Sequence, residues 1–329
     1  MRSALHINIL ALTFLGAALL SAAKAVPAAE NSAGRPAQQA PLSVASPEEK
    51  EADEPEEPDY AFVAGGPYTQ KKNSIQIILP GQVGKRRLRL GDSLLDHAEF
   101  GALLRTEWGL TNRLELDVMV PAEGARDRLD RATLSSNFAL ADAILGIRYR
   151  FLRESSAPLT LTMGPQIIFP SGSPEQGTGL GSVGYAWDLA VAKDWGGPVF
   201  LYSSLNVAAY PSVRDPAPGS RRSIALRNLF WGSALGLRAL EIQRGSIHHD
   251  LHAFLEYGLE RDERLQSEPQ KLSRASEVHM LAAPGIRYGL MTARQTLIEI
   301  GVSFPLGLNR NTPHHGVIVQ FQFERLFRR

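Results

Sequence analysis

From residue 97 onward, apolar and polar side chains alternate with a period of two. Phe100, Ala102, Leu104, Thr106 and Trp108 share one face; Glu99, Gly101, Leu103, Arg105 and Glu107 share the other. Leu114, Leu116, Val118 and Val120 then alternate with Glu115, Asp117 and Met119. Between them Gly109-Leu110-Thr111-Asn112-Arg113 is a tight-turn signal. At helical spacing Glu115 and Asp117 would interrupt any apolar stripe, so the pattern predicts strands. The alternation recurs over 143–151, 159–169, 185–195, 248–260, 278–288, 296–304 and 317–324. Over 199–210 and 229–240 both faces are apolar or small, and the strands cannot be oriented. With a first strand near 74–79 the count is about twelve.

The connections alternate in length. Short links are expected near 109–113, 152–158, 195–198, 241–247 and 290–295. Long polar links are expected near 80–96, 121–137, 170–182, 211–224, 262–276 and 305–314. Tight turns on one side and loops on the other are the signature of a transmembrane β-barrel. The predicted fold is therefore all-β: a closed antiparallel up-and-down transmembrane barrel of about twelve strands, preceded by a disordered N-terminal segment. Strands of roughly ten residues cross a bilayer when tilted.

Alternation does not say which face is inside. A soluble barrel buries its apolar face, whereas a membrane barrel turns it to lipid. Three features favour the membrane. Residues 1–25 carry Arg2, an apolar run over 5–20 and Ala23-Lys24-Ala25, the pattern of a secretory signal cut after Ala25. Aromatics end the strands on the apolar face: Trp108, Tyr149, Phe151, Trp187, Trp195, Tyr257 and Phe304. The polar face carries charges of both signs at mid-strand. These make Glu99, Arg105, Glu107, Asp117, Asp142, Arg148, Asp188, Arg238, Glu256, Arg287 and Glu299 the lumen-lining candidates. The expected location is the bacterial outer membrane. The domains read as a signal peptide (1–25), a disordered Pro/Ala-rich and acidic linker (26–59) and the barrel (60–329).

Composition narrows the functions. Across 329 residues, 35 Lys+Arg stand against 34 Asp+Glu, too balanced for a nucleic-acid binder. There is no cysteine, which excludes disulfides, thiolate metal sites and cysteine nucleophiles. The linker has almost no large apolar residues and cannot bury enough surface to offset its ordering entropy, hence the expected disorder. Its acidic run, 48–59, is a candidate plug for the periplasmic mouth.

The turn at 109–116, the strand Leu145-Gly146-Ile147-Arg148-Tyr149-Arg150, and Phe169-Pro170-Ser171-Gly172-Ser173 leading to Leu180-Gly181-Ser182 resemble the outer-membrane proteins grouped as "MetA-pathway of phenol degradation", or transporter-like barrels. The resemblance covers roughly residues 70–327. It implies outer-membrane location and uptake of small, often hydrophobic or aromatic compounds, and it carries over no site residues. Phe321, Phe323 and Phe327 resemble the aromatic ending read by the barrel assembly machinery, although Arg328 and Arg329 follow. The expected partners are outer-membrane lipids and lipopolysaccharide, that machinery and a small-molecule solute, with no nucleic acid.

Motifs for chemistry are few. Gly179-Leu180-Gly181-Ser182-Val183-Gly184 matches a dinucleotide fingerprint but lacks the strand-to-helix context that gives it meaning. His248, Asp250 and His252 share a strand face and could ligate zinc, yet read more simply as a polar strand end; His314-His315 reads likewise. Ser246, His248 and Asp250 are too close in sequence to form a triad. The basic runs 85–89 and 221–222 could meet anionic lipopolysaccharide headgroups or be ordinary solvated charge. No catalytic residue, cofactor or metal is expected. The leading function is a channel or transporter for small molecules. The alternatives are a structural or surface-interaction barrel with a closed lumen, a barrel enzyme, or a soluble periplasmic β-sandwich.

Overall fold

The structure, a computed structural model, describes residues 61–326 apart from 91–92, 131, 215–222, 269–270 and 293–295. The signal segment and the linker, with its acidic run, lie outside the described residues.

Twelve long strands follow one another: β1 (Ser74–Leu90), β2 (Ser93–Gly109), β3 (Leu114–Leu129), β4 (Ala143–Leu152), β5 (Thr160–Phe169), β6 (Gly184–Asp194), β7 (Val199–Arg214), β8 (Ser223–Arg244), β9 (Ile247–Glu268), β10 (Lys271–Thr292), β11 (Thr296–Ser303) and β12 (His315–Leu326). Each pairs antiparallel with the next, and β1 pairs with β12 from Ser74↔Leu326 to Lys85↔His315, which closes the barrel. Closure leaves no unpaired sheet edge for lipid to penalise. One continuous sheet also leaves no second layer, so the sandwich alternative falls. Three short strands, Ala132–Ser136, Ala139–Leu140 and Leu306–Gly307, decorate the loop side. Both barrel ends, Ser74 and Leu326, meet at the short-turn side.

The faces sort as the alternation predicts, inverted relative to a soluble protein. Arg148 and Arg287 are 1% exposed, while Trp108 and Ile147 are 44% and 45% exposed on the outside. Tyr149, Phe151, Trp187, Trp195 and Phe304 are exposed outward as well.

The long loops expected near 80–96, 121–137 and 262–276 are corrected. There the strands run on: β1 to Leu90, β3 to Leu129, and β9 to Glu268 with β10 starting at Lys271. Above the outer apolar band both faces of these strands meet water, so polar residues occupy both and the alternation disappears. Backbone pairing continues without it, as in Lys85↔Ala98 and Glu263↔Ser276. The two unoriented stretches become β7 and β8. Phe200, Tyr202 and Ala208 of β7 and Ala234 of β8 are buried inside.

Candidate functional site in the barrel lumen

The lumen is filled by charged side chains and by the chain's own residues 61–71. At the β2–β4 wall, Arg105 donates to Asp117 at 2.8 and 3.1 Å and pairs with Glu107 at 2.8 Å. Arg148 on β4 reaches Glu115 at 3.1 Å, Asp188 at 3.4 Å and Glu107 at 3.8 Å. Strand alternation aims all these groups inward, and burying them without partners would be costly. Across the lumen, Arg287 on β10 pairs with Glu299 on β11 at 3.5 Å.

Traced from its C-terminal end, the segment 61–71 starts at the short-turn rim, where the Asn73 N–H just beyond it donates to the Gly109 carbonyl. It then passes along the wall, one strand after another. The Gln70 N–H donates to Glu115 at 2.7 Å, and its side-chain amide to Glu107 at 3.2 Å. Thr162 on β5 donates to the Pro67 carbonyl, and Arg148 to the Gly66 carbonyl. The Gly65 N–H donates to Ser204 on β7 at 2.9 Å. On β9 the Glu256 carboxylate collects three successive backbone N–H groups, from Phe62, Val63 and Ala64, at 2.8, 2.6 and 3.0 Å. Arg287 donates to the Ala61 carbonyl at 3.1 Å, and its guanidinium lies 5.0 Å from the Phe62 ring centroid. Three peptide donors on one anion form a nest of the kind found at anion sites, here made by the inserted segment and not by the wall.

The wall is shaped to take this segment. A Cβ on Gly232 would come within 2.9 Å of the Ala64 Cα; on Gly258, 3.0 Å of Val63; on Gly285, 3.0 Å of the Phe62 ring; on Gly301, 2.4 Å of it. Glycines on four adjoining strands, β8 to β11, thus leave a groove that takes the backbone at Ala64 and the side chains of Val63 and Phe62. Beside it Ala64, Tyr68, Phe200, Tyr202, Ala234 and Phe254 form an apolar cluster. This explains why β7 and β8 are apolar on both faces: one face points outward, the other packs against the segment.

The remaining candidates sit nearer the mouths. At the short-turn side Arg238 pairs with Asp194, donates to the Gly197 carbonyl at 2.6 Å and stacks 5.0 Å over Phe200. At the loop side Glu99 holds His97 at 3.0 Å. Asp142 accepts the Gly172 and Leu180 N–H groups, both at 2.9 Å, and ties down the β5–β6 loop. Sequence reasoning passed over Glu115, which shares the parity of Asp117, and the whole segment 61–71. That segment has no alternation, and its only mark is an apolar, Gly-Gly-Pro-bearing run before the first strand. Ser246 lies exposed in the β8–β9 turn, while Asp250 and His252 are buried at lumen-facing positions. Among the described residues no group of three or more His, Asp or Glu is placed to hold a metal ion. The 179–184 glycine motif runs through a loop into β6 and opens no helix.

No protein-family model matches the chain. No curated protein matches it in sequence. Among solved structures it is similar to the COG4313 outer membrane channel from Pseudomonas putida F1, at 14% identity and a TM-score of 0.52, over 81% of this chain and 100% of that one. It is also similar to the β domain of the Bordetella autotransporter BrkA (10% identity, TM-score 0.43, 77% and 99% covered). The outer membrane protease OmpT from Escherichia coli follows (11% identity, TM-score 0.30, 78% and 97% covered). At these identities the first likeness speaks for the fold alone: this chain is a closed β-barrel of the outer-membrane kind.

Proposed function

We propose that the chain is an outer-membrane channel for small solutes, closed in this conformation by its own residues 61–71. One observation carries the reading: the glycine groove, which fits a backbone segment held by Glu256, Arg148 and Glu115. A barrel serving only as scaffold could fill its lumen with wall side chains, as small barrels do. A tethered segment bound through polar contacts to charged groups is removable, and its departure leaves an aqueous path. The name of the Pseudomonas putida protein, a channel, agrees with this reading. The opened path would have a charged wall on β2–β4 and an aromatic one formed by Phe200, Tyr202 and Phe254. That pairing suits solutes with a polar and an apolar part.

The test is single-channel recording in planar bilayers. The protein lacking residues 26–70 is expected to show large, steady conductance steps, while the full-length protein stays mostly closed. The central wall carries Glu107, Glu115, Asp117, Asp188, Glu256 and Glu299 against Arg105, Arg148 and Arg287, so the opened pore is expected to prefer cations. A shortened protein that folds and remains silent would overturn the channel in favour of a structural barrel with a closed lumen.

A further inference from the structure

The outward face of β1–β3 changes character abruptly on the loop side. Registers between these strands run without a shift, so the residues fall in rows. The last apolar row is Val83, Phe100 and Gly124. The next is Lys85, Ala98 and Arg126; then come Arg87, Asp96 and Arg128; then Arg89 beside Leu94. Five cations thus stand on the outside of three adjoining strands, immediately above the apolar band, with Asp96 among them and Asp130 at the end of the last row, where it accepts the Leu94 N–H. His315 of β12 extends the Lys85 row.

At the same height the inner face carries the opposite sign. Glu99, Glu123 and Asp127 point inward with His97 and Arg86, and His97 bonds both Asp127 and Glu99. Arg86 reaches inward to the Asn311 carbonyl at 3.2 Å. Strand parity has therefore sorted the charge across the wall.

The rows also have the right position and size. Neighbouring strands lie about 4.8 Å apart and outward residues on one strand about 7 Å, so the five cations cover roughly 10 by 14 Å. Arg126 is fixed at the boundary, its guanidinium 5.6 Å from the Phe100 ring centroid. Arg87 is paired with Asp96 at 2.6 Å, and its side chain stays two-thirds exposed (67%). Arginines in this setting offer forked donors to phosphate oxygens, and Lys85 adds a point charge. An anion held here would have its apolar continuation lying against Val83, Phe100 and Leu104 directly below.

We propose that this face is a binding site for the phosphorylated sugar headgroup of an outer-leaflet glycolipid. The occupant is a lipid and not a free anion because the cation rows are continuous with the outer apolar band. The proposal rests on that band lying in the membrane, and it is independent of whether the lumen conducts.

The experiment uses the full-length protein in detergent and native mass spectrometry, with lipid A carrying two phosphates as probe. The dephosphorylated lipid and inorganic phosphate serve as comparisons. The wild type is expected to bind the bisphosphorylated lipid well over tenfold more tightly than the dephosphorylated one. The triple variant Lys85→Gln/Arg126→Gln/Arg128→Gln is expected to lose about a hundredfold in affinity, and Arg128→Gln alone about fivefold. Lys72→Gln, at the short-turn rim, is expected to bind as wild type. The single variant reads the same loss should the triple variant fail to fold. Equal binding of the two lipids, undiminished binding by Arg128→Gln, or displacement of the lipid by equimolar inorganic phosphate would each overturn the assignment.

Discussion

Gly301 shows how much one absent methyl group decides. A Cβ there would lie 2.4 Å from the Phe62 Cζ, the far end of a side chain that can move, and 3.2 Å from the Ile286 carbonyl oxygen, where a few tenths of an ångström must give. Gly301→Val is therefore expected to leave the barrel folded and evict the Phe62 ring from beneath Arg287. The readout is faster protease cleavage within 61–66, with heat-modifiable gel mobility retained. A glycine against backbone behaves differently: at Gly164 the Cβ would be 1.7 Å from the Ile147 carbonyl oxygen, and no side chain can yield. Glu256 holds the other end of the same contact. Glu256→Gln keeps its shape but leaves one acceptor oxygen in place of two, so at least one of the three N–H groups loses its partner and the rest make neutral bonds, a loss of about 2 kcal/mol. Hydrogen exchange of the Phe62–Ala64 amides is expected to rise roughly thirtyfold. Neither residue was legible as important. Glu256 stood out only as one lumenal charge among several, and a glycine on a strand announces close approach without naming what approaches.

At the scale of the element, the β2–β3 hairpin carries a pH-sensitive clasp beyond the outer apolar band. Partial burial works against a charged His97, yet its bonds to Asp127 and Glu99 outweigh this and raise its pKa above the ordinary histidine value. The same His97 bond, with that from Ser135, lowers the pKa of Asp127. A raised histidine pKa adds stability that is fully present below the unfolded value and is lost as pH rises through the folded one. Amide protection over 95–99 and 125–129 is thus expected to fall as pH climbs from about 6 to 8. His97→Gln is expected to abolish that dependence; protection that is flat with pH in the wild type would refute the clasp. These hairpin tops were not legible as strands. The period-two signal exists only where the two faces meet different media, and above the band both meet water. Lower down, where one face meets charge and the other does not, Leu114–Val120 and 143–151 could be placed residue by residue. β7 and β8 failed for the converse reason, having apolar surroundings on both sides.

For the whole molecule the governing fact is the inversion of inside and outside, and that was readable, because a lumen lined by Arg105, Asp117, Arg148 and Glu299 leaves only the apolar faces for lipid. It yields a sharp contrast between neighbours. Ile147 points outward at 45% exposure, so Ile147→Arg is expected to cost about 2–4 kcal/mol of folding free energy in a bilayer. Ile147→Leu is expected to cost little, as a swap of equal volume. Urea titration of vesicle-reconstituted protein, read by gel mobility, measures both. What the pattern could not reveal was the occupant of the lumen, since residues 61–71 obey the geometry of the wall they lie on and have no period of their own. Their hydrogen bonds reach side chains on β1, β2, β3, β4, β5, β7, β9 and β10. Strands that never touch one another in the sheet are thereby joined through one short stretch of chain. The plug is thus also a brace, and cutting its ties would slacken staves on opposite sides of the cask.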